Sequence, residues 1–304
     1  MHRLPYEESW DNRRMKQNTY CFFWALTTMS LCLPAAAVDL QPGEIRAPKP
    51  DIDTMTLTYQ FSERGTRYVN GQTQTGDTRI ASAQLQARLG HSFEFAERPA
   101  YAFVQLPTGY VHPQGSLSAQ SGDAGISDAT LLLAWWPHAD HAAQRYFAVA
   151  GYLTLPTGSY SAERNFNMGG NRYSGTLQTG FQLPLVDHLN WMTAVDGVWF
   201  GKNGDYRATH DVLEQRPLYT AQSALQYFLN GRYSVAAAYF YTTGGETSIN
   251  GLLRNDTTRL QRYQLSAIAN FDFGRVTLQY GGDLQTENGY IENSRWTLRL
   301  MQRL

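Results

Sequence analysis

The last ten residues, 295–304, constrain the fold more than any other stretch of the sequence. From Trp296 to Leu300 every second residue is apolar, and Arg295, Thr297 and Arg299 alternate with them. Successive side chains of a strand turn to opposite faces, so this segment has one greasy face and one charged face. It runs to the final residue. A closed membrane barrel ends its chain this way, because its last strand must pair with its first and leave no open edge in lipid.

The same period recurs upstream. Residues 54–61 alternate without error, with Met55, Leu57, Tyr59 and Phe61 against Thr54, Thr56, Thr58 and Gln60. The pattern predicts further strands at 80–89, 101–106, 128–136, 146–155, 173–185, 191–200, 218–229, 232–242, 260–271 and 276–284. With the terminal segment that makes about twelve strands of roughly nine to eleven residues, the length that crosses a bilayer at a tilt. Segment 191–200 is apolar on both faces, and Asp196 decides its orientation. A carboxylate facing lipid costs on the order of a few kcal/mol, so Asp196 turns inward.

Connections are expected to alternate, long after the odd strands and mostly short after the even ones. The long ones include 62–77, 108–127, 202–217, 243–257 and 286–294, and Asn230-Gly231 marks a tight hairpin. That asymmetry fits short periplasmic turns and long external loops, and an even strand count puts both termini on one side. Trp135, Trp136, Tyr146, Tyr173, Trp191, Trp199, Tyr219, Tyr233, Tyr241 and Trp296 fall near strand ends, where an interfacial girdle needs amphipathic rings. The fold class is therefore an all-β, antiparallel, up-and-down transmembrane barrel behind a signal peptide. A mean hydropathy of -0.42 agrees with strands that are half lumen-facing. A net charge of -1 leaves no basic footprint for a nucleic acid.

The domain plan is a leader over 1–37, a Pro/Gly-rich periplasmic lead-in over 38–53 and the barrel over 54–304. Residues 21–33 are an apolar core followed by Pro34-Ala35-Ala36-Ala37, a Sec-type signal with cleavage expected after Ala37. Met15 is an alternative start. Arg13-Arg14 lacks the rest of a twin-arginine motif, and Cys32 lacks a lipobox around it. Export of this kind delivers the chain to the outer membrane of a Gram-negative cell. The partners expected there are lipid, the barrel assembly machinery and a small organic solute. Both cysteines, Cys21 and Cys32, lie in the leader, so the body has no thiolate site.

No catalytic, cofactor or metal residue is assigned. His138 and His141 flank Asp140, but without a third convergent ligand they read as a solvated turn. No nucleophile elbow, phosphate loop or dinucleotide fingerprint occurs. Leu106-Pro107-Thr108-Gly109-Tyr110 is echoed by Leu155-Pro156-Thr157-Gly158-Ser159-Tyr160, and each proline is expected to mark the end of strand pairing. The informative set lies on the inward faces. Gln84, Gln86, Arg88, Gln178, Gln182, Asp196, Gln222, Gln226, Gln264, Asn270, Arg275, Gln279, Asp283, Arg295 and Arg299 are the candidate pore-lining residues. Amides with charges of both signs can hydrate a pore, or hold a hydrogen-bonded plug. The functional expectation is a channel for passive uptake of small organic solutes. A plugged barrel acting as receptor or structural protein is the alternative, and an outer-membrane hydrolase is a third.

The run 152–160, then Asn171-Arg172-Tyr173, 201–206, Gly244-Gly245-Glu246-Thr247 and 282–289 resembles one family. Tyr68-Val69-Asn70-Gly71 and Gly76-Asp77-Thr78-Arg79 belong to the same resemblance. The family is that of outer-membrane transporters of the meta-pathway of phenol degradation, also called SphA-type. The resemblance spans the mature chain and implies passive uptake of aromatic or other apolar compounds. Its motifs are strand-end and loop patterns, so it transfers no functional residue. Barrel C-termini usually finish on an aromatic, whereas this sequence finishes on Leu304.

Overall fold

The computed structural model describes residues 39–304 and the backbone of Leu31–Cys32, which pairs in parallel with Phe166–Asn167. The rest of the expected leader and its cleavage site fall outside the described residues. Twelve long strands follow: β1 Ile52–Val69, β2 Thr78–Phe95, β3 Arg98–Gly115, β4 Ala129–Asp140, β5 Arg145–Leu155 and β6 Ser174–Val186. Then come β7 Leu189–Phe200, β8 Leu218–Phe228, β9 Tyr233–Gly244, β10 Thr258–Phe271, β11 Gly274–Thr286 and β12 Gly289–Arg303. Each pairs antiparallel with its neighbour in sequence, and β12 pairs with β1 to close the cylinder. The closing register sets Leu57 opposite Leu300 and Phe61 opposite Trp296, apolar against apolar.

Period two decides which way every residue points. In β8, Leu218, Thr220, Gln222, Ala224 and Gln226 are buried, while Tyr219, Leu225 and Tyr227 are exposed. The exposed leucines and aromatics of the twelve strands form the outer surface, which in water would be an untenable apolar area and in lipid is satisfied. Asp196 points inward, as its charge requires, and its Oδ2 accepts from the Gln178 and Gln222 amides at 3.5 Å each.

Three expectations need correction. The strands run from 11 to 18 residues, because β1 and β3 continue past the expected segments at the long-loop end and β2 mainly at the short-turn end. The connection after β11 is a two-residue turn, not a loop over 286–294. Gly289, at φ 110°, opens β12, and Glu292 belongs to its inward face at 1 % exposure. Trp136 and Tyr146 do not join the outer girdle. Both are buried inside, Trp136 within a register shift between Trp135 and His138 and Tyr146 opposite Ala139 just beyond it.

Pro107 marks the upper limit of β3–β4 pairing. That ladder ends at Gln105 opposite Thr130, and above it β3 pairs with the short strand Asp123–Ile126. Above the rim, Asn203–Tyr206, Asp211–Gln215, Thr247–Ile249 and Leu252–Leu253 form a four-stranded sheet of their own. The connection between β5 and β6 instead folds inward. Phe166 and Met168 are buried with Ile80, Val111 and Leu117, and Tyr290 packs on them. Asp128 fastens this fold by accepting from the amides of Gly158 at 2.9 Å and Gly170 at 2.7 Å. Burial raises the Asp128 pKa above its ordinary value in spite of those bonds. Gly158 and Gly169 meet backbone to backbone. A Cβ on Gly158 would lie 2.7 Å from the Gly169 Cα, so neither can carry a side chain there.

Candidate functional site: the lumen and its inserted segment

The proline-rich lead-in enters the barrel from the short-turn end. Lys49 and Asp51 hold the rim: the Ser92 hydroxyl donates to the Lys49 carbonyl at 2.6 Å, and the Asp51 amide donates to the Ser92 carbonyl. Ile45 and Ala47 are then 2 % and 4 % exposed, packed among Phe103, Leu132, Ala134, Trp136, Ala150 and Met192. The Trp136 indole donates to the Ile45 carbonyl at 2.7 Å. Leu40 leans on the same cluster, and its amide donates to the Gln222 side chain at 3.0 Å. On this side the wall is made of alanines, with Gly180 among them, and those small residues leave room for a second backbone. A Cβ on Gly180 would come within 3.0 Å of the Ile45 Cδ1.

The opposite wall holds the segment by charge. Asp39 lies between two guanidiniums, bonded to Arg262 and, at 3.1 Å, to Arg295. One Glu44 oxygen receives Arg299 at 2.6 Å and Arg88 at 3.4 Å, and the other receives the Gln41 amide at 2.9 Å. Burial pushes the Glu44 carboxyl up, but the two arginines and that amide outweigh it and hold its pKa below the ordinary value. Higher up, Glu292 bridges Arg64 at 3.0 Å and Arg295 at 2.8 Å. Between the two rims the inward face carries Arg64, Arg88, Arg262, Arg275, Arg295 and Arg299 against Asp196, Asp283 and Glu292. The wall alone is cationic, and Asp39 and Glu44 offset part of that excess.

Above the inserted segment lies a cavity of about 490 Å³. Gln84, Gln86, Arg88, Gln264, Gln279, Asp283, Arg295 and Arg299 line it. The other expected residues also sit on inward faces but lower down, where the inserted segment and wall contacts occupy them. Gln178 accepts from the Tyr152 hydroxyl at 3.1 Å, and Gln226 donates to Ser234 at 3.0 Å. Gln182 is buried. Arg275 donates to Asn270 at 3.0 Å near the short-turn rim. Sequence reasoning missed Asp39, Glu44, Arg64, Arg262 and Glu292. Arg262 shares its parity with Gln264 and was legible. Arg64 and Glu292 stood in presumed loops. Phe103 and Tyr152 add aromatic surface to the cavity, with the Arg88 guanidinium 4.1 Å over the Phe103 ring.

A closed twelve-stranded barrel with an apolar exterior and a polar, charged lumen is an outer-membrane channel, and its place is the bacterial outer membrane. The chain belongs to the family described as "Putative MetA-pathway of phenol degradation", which matches residues 99–300. Among solved structures it is similar to the COG4313 outer membrane channel from Pseudomonas putida F1. The two are 28% identical, the TM-score is 0.84, and the match covers 88% of this chain and 100% of that one. Two further matches are distant. The Pseudomonas putida toluene transporter TodX is 10% identical at a TM-score of 0.43, over 84% of this chain and 90% of that one. The β domain of the Bordetella autotransporter BrkA is 10% identical at 0.49, over 83% of this chain and 98% of that one. Neither of these two carries weight here. No curated protein matches the chain.

Proposed function

We propose that the protein admits small organic solutes, aromatic and apolar ones among them, by passive diffusion and without catalysis. Residues 39–47 are its gate. In this reading cleavage after Ala37 makes the gate the first segment of the mature chain, and the barrel assembly machinery inserts the rest. The observation that supports it most is the cavity. Its volume, about 490 Å³, falls within the range of pockets that enclose drug-sized molecules. Its lining pairs amides and guanidiniums with Phe103 and Tyr152, surfaces that suit a ring bearing a polar group. The candidate pore residues Gln84, Gln86, Arg88, Gln264, Gln279, Asp283, Arg295 and Arg299 act as its wetted wall.

Purified protein reconstituted in planar bilayers and liposomes tests this. Conductance with discrete openings is expected, together with faster liposome swelling in small aromatic alcohols than in disaccharides. Silent bilayers and no swelling sink the channel reading. They favour the second one, a permanently filled barrel serving as a surface receptor or structural element, which the inserted segment itself suggests.

A further inference from the structure

The two carboxylates of the inserted segment are each held in the same way. Asp39 lies between Arg262 and Arg295, and Glu44 between Arg88 and Arg299. Each clamp takes its two arginines from separate strands, and all four side chains are mostly buried, at 10 to 16 % exposure. A guanidinium removed from water needs an anionic partner with hydrogen-bonding oxygens, and a carboxylate is the best fit. These are contacts a free carboxylate could make just as well. Around the Glu44 clamp the cavity supplies the rest of a binding site. Phe103 lies under Arg88, Tyr152 lines the same cavity, and Gln105 receives the Arg88 Nε at 3.0 Å.

We propose that the paired arginines, Arg88/Arg299 foremost, are a binding site for the carboxylate of an aromatic acid, and that Glu44 and Asp39 are tethered stand-ins for that cargo. The proposal rests on the channel reading above and names its substrate class. A resting channel fills its own site with Glu44. An incoming aromatic carboxylate takes the clamp, lays its ring against Phe103 and releases the segment's charged side. No covalent bond is made or broken, and the Arg88/Arg299 pair keeps a carboxylate partner throughout. The tethered carboxylate competes at an effective concentration on the order of millimolar, so the cargo opens the gate only when it is abundant.

The test uses the full chain in detergent and in bilayers, with benzoate as probe and benzamide as its uncharged counterpart. In calorimetry, wild type binds benzoate and not benzamide. The double variant D39N/E44Q, with the competitor removed, binds benzoate about tenfold more tightly. R299Q binds it about tenfold or more weakly. In bilayers benzoate raises the open fraction of wild type, whereas an equal concentration of chloride does not. Three results overturn the proposal: equal binding of benzamide, equal opening by chloride, or benzoate affinity unmoved in both variants. Wild-type conductance in potassium chloride separates the two readings. A conducting channel indifferent to benzoate defeats this inference alone, whereas a silent one defeats the channel.

Discussion

The two walls of the lumen hold the same short segment by different physics. The wall from β4 to β9 offers Ala134, Ala150, Ala224 and Ala238 with Met192 and Phe240, and it takes Ile45, Ala47 and Leu40 by apolar contact. The wall from β10 round to β2 offers Arg262, Arg295, Arg299 and Arg88, and it takes Asp39 and Glu44 by charge. Apolar contact is blind to salt and proton concentration, and charge pairing responds to both. One segment is thus seated by a constant contribution on one side and an adjustable one on the other. A gate needs that combination: stable at rest, yet released by something in solution.

Reversing the charge at the adjustable wall gives the largest effect. Glu44→Lys sets an ammonium against Arg88 and Arg299 and expels the segment. The open fraction in planar bilayers should rise by at least about a hundredfold, since breaking a buried pair costs roughly 3–5 kcal/mol. Overpacking the constant wall comes next. Ala224→Phe fills the space that Leu40 and Ile45 use, at a cost of about 1–3 kcal/mol, or about fivefold to a hundred-and-fiftyfold in opening. Its effect should not change between dilute and concentrated potassium chloride. If both variants show the same salt dependence, the division between the walls is wrong.

Acid should act on the charged wall alone. Glu44 has its carboxyl lowered from 4.5 by its arginines, so it favours the docked state at every pH above that value. That contribution is lost as pH falls through the docked pKa, below 4.5. Conductance of wild type should therefore climb below about pH 4.5, and E44Q, which keeps only the Asp39 pairs on that wall, should climb less across the same titration. The smallest change comes from Trp136→Phe. It removes one hydrogen bond, to the Ile45 carbonyl, and should alter opening by about threefold to tenfold, in line with roughly 0.5–1.5 kcal/mol.

The walls and the segment also differ in how far the sequence reveals them. Alternation in 54–61 and 295–304 is the direct imprint of lipid on one side and water on the other, and it gives both the strands and their faces. It fades where both faces meet water. Hence the upper parts of β1 and β12, with Arg64 and Glu292, read as loop until their pairing is seen. The inserted segment has no period at all. Pro42, Gly43, Pro48 and Pro50 announce irregular backbone but not where it goes. A signal was present in the charge count. The inward positions hold more arginines than carboxylates, and Asp39 and Glu44 are acids just ahead of the first strand. Arg275 and Asn270 illustrate the opposite lesson, since inward parity alone does not say at what height along the axis a residue sits.

Asp39 finds Arg262 on β10 and Arg295 on β12, more than two hundred residues downstream. The inserted segment can therefore seat itself only once the last hairpin is in place. An unfinished barrel has an empty throat, and the cork arrives with the final seam.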